Sequence, residues 1–116
     1  MEEIKMEYTI NTSRRMLYNR LSTAGGLSQW FADEVDVNGQ EYIFYWEGFP
    51  QKATVVKKRQ NEFIRFIWND GDQEGNEFEF RLEEDELTQD LALIVTDHVL
   101  ADEAEDARGL WDSQVS

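Results

Sequence analysis

The sequence predicts an α+β fold in which a curved antiparallel sheet of six or seven strands wraps around a C-terminal helix, with two short helices after the first strand. Three observations predict it. Leu27, Trp30 and Phe31 sit at i, i+3 and i+4, and Met16, Leu17 and Leu21 precede them with similar spacing, so two short helical pieces lie near the start. Roughly seventy residues of strand periodicity follow, interrupted by turn residues at intervals of about 8–12. Ala104, Ala107, Leu110, Trp111 and Val115 then form a last helical stripe. Strands that do not alternate with helices exclude parallel crossovers. The last helix is the one long element available to cover the apolar face of the sheet.

The first strand is expected over residues 5–10, where Met6, Tyr8 and Ile10 share a face. Asn11, Thr12 and Ser13 offer capping oxygens for the first helix, and Thr23 offers one for the second. Gly25-Gly26 should loosen the start of that second helix, since an interior glycine costs about 1 kcal/mol relative to alanine. Val35 and Val37 alternate with acids ahead of Asn38-Gly39, a type I′ hairpin signal, and a return strand covers Gln40 to Trp46. Gly48-Phe49-Pro50 breaks the pattern. Residues 52–59 and 62–68 pair around Gln60-Asn61, with Ile64, Phe66 and Trp68 on one face and Arg65 on the other. An acidic turn runs from Asp70 to Asn76. Phe78, Phe80 and Leu82 then alternate with Glu79, Arg81 and Glu83, and Glu84-Asp85-Glu86 turns the chain. The last strand, 89–98, is apolar on both faces and reads as central or doubly covered. Asp102 and Glu105 have capping-box spacing and open the last helix.

A length of 116 residues is read as one domain, 1–116, able to bury about 65% of its unfolded surface. Aromatic residues make up 13% of it, enough to fill a core or line a cavity. The absence of cysteine removes disulfides and thiolate chemistry. No signal-peptide pattern or spanning apolar run is visible, so a cytoplasmic location is expected. With 25 acids against 11 bases, the net charge of −14 repels phosphate backbones and anionic lipid. The basic pairs and triples, Arg14-Arg15 and Lys57-Lys58-Arg59, are short. Neither a nucleic acid nor a membrane is an expected partner; a protein with a basic surface remains one.

No catalytic constellation emerges. His98, the single histidine, has Asp97 beside it, but strand neighbours point to opposite faces. Asp70-Gly71-Asp72-Gln73-Glu74-Gly75 imitates a calcium loop, yet its twelfth position is Arg81 rather than a bidentate Glu. Glu47 alternates with an inward Trp46 and is expected to face outward. No catalytic or metal-binding residue is therefore expected, and no cofactor. The candidate cavity-lining set is Trp30, Phe31, Phe44, Trp46, Phe66, Trp68, Phe78, Phe80, Leu93, Val95 and Trp111. Tyr45, Thr96, Arg65 and Gln114 are candidate polar groups beside it.

Leu21, Leu27, Trp30-Phe31, Tyr45-Trp46-Glu47-Gly48, Phe78-Glu79-Phe80 and Leu110-Trp111 together give the chain a recognisable look. It resembles the START-like (SRPBCC, helix-grip) superfamily, and within it the branch similar to heat-shock chaperone ATPase activators. The strand Ala92-Leu93-Ile94-Val95-Thr96-Asp97 and the helix Leu110-Trp111-Asp112-Ser113-Gln114 also resemble small bacterial stand-alone START-like proteins. In such relatives the last helix runs on, so this one is expected to be incomplete at Ser116. The resemblance implies a non-catalytic domain that binds a small hydrophobic, lipid-like ligand between sheet and helix. The alternatives are an interaction module similar to the chaperone activators and, less favoured, a cyclase-like enzyme.

Overall fold

Strand β1 (Glu2–Ile10) begins the chain and lies beside the last strand, β7 (Leu91–Val99), pairing from Glu2 opposite Val99 to Ile10 opposite Leu91. The intervening strands are β2 (Glu34–Asn38), β3 (Glu41–Trp46), β4 (Phe49–Arg59), β5 (Phe63–Trp68) and β6 (Glu77–Glu84). They form an antiparallel meander, giving a seven-stranded curved sheet in the order β1-β7-β6-β5-β4-β3-β2. This is a computed structural model describing residues 1–115; the expected incomplete end of the last helix at Ser116 lies outside them. Among the described residues no helix is long and apolar enough to cross a membrane.

Two helices follow β1: α1 (Arg14–Ser22) and α2 (Ala24–Leu27). The Ser13 hydroxyl accepts from Met16 N at 3.2 Å and the Thr23 hydroxyl from Gly26 N at 2.9 Å, as their positions in the sequence suggest. Leu17 and Leu21 are buried on the sheet, whereas Met16 faces solvent. The helix predicted through Phe31 stops at Leu27. Its i, i+4 relation survives as a turn in which Phe31 N donates to Leu27 O at 2.8 Å. Gly26 does not loosen α2. A Cβ there would stand 2.4 Å from Asn19 O and 2.5 Å from Arg20 Cα, so glycine is what lets α2 close on α1.

The hairpins differ from expectation in register. Asn38 pairs with Glu41, which places Gly39-Gln40 in the turn. Only Gly39 has a positive φ (64°), the pattern of a II′ rather than an I′ turn. The I′ pattern occurs instead at Glu47-Gly48, with φ of 51° and 82°, and β4 starts immediately after it. Pro50 therefore sits inside a strand. Pairing with β5 begins only at Ala53, so Pro50 has a strand neighbour on one side alone, where a missing N–H is tolerated. A bulge at Val56 shifts the β4–β5 register.

Outward positions carry charge. Arg65 and Arg81 both bond Glu79, at 2.9 and 3.1 Å, and Arg81 lies 4.3 Å from the Phe63 ring centre. Burial pushes the Glu79 carboxyl up, but the two guanidiniums outweigh it and hold the group below its ordinary value.

After β7 a 3₁₀ turn, Ala101–Glu103, leads into α3 (Ala104–Val115). Asp102 lies within that turn rather than at the cap where the capping-box spacing puts it. Trp111 is buried, Ala104, Ala107 and Val115 are half-buried, and Leu110 is 62% exposed, outside the stripe that its spacing predicts. The Tyr8 hydroxyl donates to Asp112 Oδ1 at 2.5 Å and Arg108 donates to Lys5 O at 3.0 Å, tying α3 to β1.

Gly26→Ala should lower unfolding free energy by about 1–3 kcal/mol, because the methyl group meets backbone that cannot yield. Gly25→Ala, with nothing within 4 Å of its Cβ, should be neutral or up to about 1 kcal/mol stabilising. Urea denaturation of the two variants checks this, and equal midpoints would remove the close-approach argument.

Candidate functional site

Alternate residues of β3, β5, β6 and β7 point to the concave side, which brings the predicted aromatic set together and then divides it. Phe44, Phe66, Phe78, Phe80 and Val95 are buried to 1% exposure or less. They form a filled floor, with Phe66 stacked on Phe78 at 4.9 Å and Trp68 on Phe78 at 4.6 Å. Trp30 and Leu93 lie elsewhere, around a small void of about 70 Å³ with Leu17, Leu21 and Val115. Phe31, Trp46, Trp68 and Trp111 line an apolar cleft of about 290 Å³ between the sheet and α3. Ala107 and Leu110 of α3 form its rim, and Gln51, Gln73, Asp97 and Gln114 are its polar members.

Phe31 fixes this geometry. Its carbonyl accepts from the Trp46 indole and from Gln114 Nε2, each at 2.9 Å, so one oxygen ties the helical turn to β3 and to α3. Its ring stacks on Trp111 at 5.4 Å with an interplanar angle of 8° and meets Trp46 edge-on at 5.3 Å. The acidic turn contributes Gln73. That turn is held against β4 by Asp70, whose Oδ1 accepts from Lys52 N at 3.0 Å, and by Asn69 N donating to Lys52 O at 2.8 Å. Asp70 thus serves the loop itself.

Asp97 is the residue that sequence reasoning missed. It is 6% exposed on the concave face of β7. Its Oδ2 accepts from Trp111 Nε1 at 2.9 Å and its Oδ1 from His98 N at 2.8 Å. Burial pushes the carboxyl above its ordinary value, while these two donors and the neighbouring His98 ring pull back against it. A signal for it exists in the sequence: Leu91, Leu93, Val95, Asp97 and Val99 share one parity, and Asp97 is the one polar residue among them. His98 points the opposite way, its Nδ1 2.6 Å from Glu77 O on the convex side. Thr96 and Arg65 also lie there, and Tyr45 bonds Asp36 at the surface. Of the four candidate polar groups only Gln114 lines the cleft. Glu47 is exposed in its turn.

Among the described residues lining the cleft, Asp97 alone has a titratable side chain. A general acid–base pair or an activated nucleophile needs a second group within hydrogen-bond reach. The arrangement is suited to holding a flat apolar body and one polar end.

The family model of a START-like superfamily domain matches residues 1–116. Among solved structures, the chain is similar to the Bacteroides fragilis protein BfR322, with 42% identity over 98% of this chain and 85% of that one, at a TM-score of 0.71. It is similar in fold to the Aha1 dimer from Colwellia psychrerythraea, with 22% identity, 99% and 91% coverage and a TM-score of 0.81. It is likewise similar to DynU16 from the dynemicin biosynthetic locus, with 13% identity and a TM-score of 0.82, spanning 97% of this chain and 44% of that one. No curated protein sequence matches the chain.

Because the Asp97 carboxyl has a higher pKa folded than its ordinary 3.8, folding favours its protonated form. The stability contributed is full below the unfolded value and is lost as pH rises through the folded one. The stability gap between wild type and Asp97→Ala should therefore narrow as pH rises from about 4 to 7. At neutral pH the alanine substitution should still cost about 1–3 kcal/mol, for the Trp111 N–H it leaves without an acceptor. Denaturant titrations at stepped pH measure both, and a gap that widens with pH contradicts the assignment.

Proposed function

Since the chain belongs to the START-like superfamily, we propose that residues 1–116 act as one non-catalytic domain that binds a small hydrophobic molecule in the cleft between the sheet and α3. The observation that carries this reading is the cleft itself, walled by Phe31, Trp46, Trp68 and Trp111 above a floor of fully buried aromatic side chains. Ligand sites are concave, mostly apolar and furnished with few polar groups. At about 290 Å³ the cleft stands just below their usual range of roughly 300–1,000 Å³. That size favours a one- or two-ring compound over a long acyl chain. The exposed Leu110 and half-buried Ala107 support an entrance along one edge of α3.

Prodan, a two-ring naphthalene dye that brightens and shifts to the blue in apolar surroundings, provides the test. The expected result is saturable binding at one site, weakened about tenfold or more by Ala107→Phe, which fills the cleft from its rim. The variant's melting temperature should stay close to wild type, since Ala107 is only half-buried. Absence of saturable binding, or binding indifferent to Ala107→Phe, would reject this function.

A further inference from the structure

Asp97 is a buried carboxylate that no ion pair among the described residues reaches. Those pairs join Arg59 to Glu62, Arg65 to Glu77 and Glu79, and Arg81 to Glu79. Buried carboxylates are normally paired, because removing their charge from water is costly. Here the close compensation is two neutral N–H donors, from the Trp111 indole and the His98 backbone, and the His98 ring on the opposite face of β7 acts only from beyond ion-pair distance. Each oxygen accepts one of them, and a carboxylate has about four lone-pair sites in all, so acceptor capacity remains. The carboxylate faces a cleft whose other walls are the rings of Phe31, Trp46, Trp68 and Trp111. Aromatic faces attract cations, most strongly where water is excluded. The net charge of −14 also raises the local concentration of cations over anions around the molecule.

We propose that the cleft takes a small organic cation, a protonated amine carried on a flat aromatic body. The ammonium group bonds Asp97 and the ring lies among the four aromatic side chains. The amine supplies a positive charge beside Asp97, and Gln51, Gln73 and Gln114 are the other polar side chains lining the cleft. An anionic ligand of the same shape is rejected, since it would place like charges together in an apolar site. This inference rests on the cleft being the ligand site and adds the class of ligand.

Three probes of matched shape separate the two statements: tryptamine, neutral 3-ethylindole and anionic indole-3-propionate. Titrations at physiological salt are followed by NMR through the Trp111 indole N–H resonance, which sits on the Asp97 hydrogen bond. Tryptamine should bind about tenfold or more tighter than 3-ethylindole, and indole-3-propionate weakest. In Asp97→Asn the preference for the amine should fall to within about twofold while 3-ethylindole still binds. Equal or tighter binding of the neutral probe overturns the amine inference and leaves the apolar-ligand reading standing. Binding of none of the three at the cleft overturns both. A preference for tryptamine that leaves the Trp111 resonance unmoved is attraction to the acidic surface and also overturns it. Should Asp97→Asn fail to fold, the three-probe comparison on the wild-type chain decides alone.

Discussion

The carbonyl oxygen of Phe31 is the point on which the rest of the arrangement depends. It receives one hydrogen bond from the sheet, through Trp46, and one from the last helix, through Gln114. Its position is set from below by a chain of local constraints. Thr23 caps α2, Gly26 lets α2 press against α1, and Leu27 O takes the Phe31 N–H. Each link is short in sequence. The result joins residues far apart in the chain, and it sets the Phe31 ring flat against Trp111. Displacing that turn would uncouple both walls of the cleft together.

The helix itself is held unevenly. The bonds from Tyr8 to Asp112 and from Arg108 to Lys5 O are exposed, and such bonds contribute about 0.5–1.5 kcal/mol each. Among the described residues of α3, Trp111 alone is buried, and truncating a buried Trp typically costs about 3–5 kcal/mol. Docking of α3 is therefore dominated by one indole, gripped by a ring stack on one side and a carboxylate on its N–H. The same residue supplies a cleft wall, so packing of the helix and shape of the site cannot be varied independently.

Much of this is readable from parity and spacing. The alternation in Phe78-Glu79-Phe80-Arg81-Leu82 gives the concave face directly, and Ser13 and Thr23 mark their helices. What escapes depends on backbone geometry or on three-dimensional company. Glu47 takes a positive φ that its side chain does not advertise, so the turn at Glu47-Gly48 looks in sequence like a break further along. Leu110 continues a helical stripe in sequence, but it stands at the rim of the cleft with most of its surface in solvent. Asp97 draws attention to His98, the neighbour it cannot face, although its parity places it among leucines and valines. The division of the aromatic set into floor and cleft wall is a property of packing depth, which a period of two does not encode.

The pairing of β1 with β7 has a consequence for how the chain comes into being. The first of the seven strands to be made is the last to find its neighbour, for Leu91–Val99 must follow every other strand out of the ribosome. At synthesis rates of about 5–20 residues per second, β1 spends several seconds with both edges open. Its sequence suits that wait. Glu2, Glu3, Lys5 and Glu7 interleave with Ile4 and Met6, so a strand that could otherwise recruit its copy on a neighbouring nascent chain carries charge at alternate positions. Closure of the sheet is thus a late, long-range event.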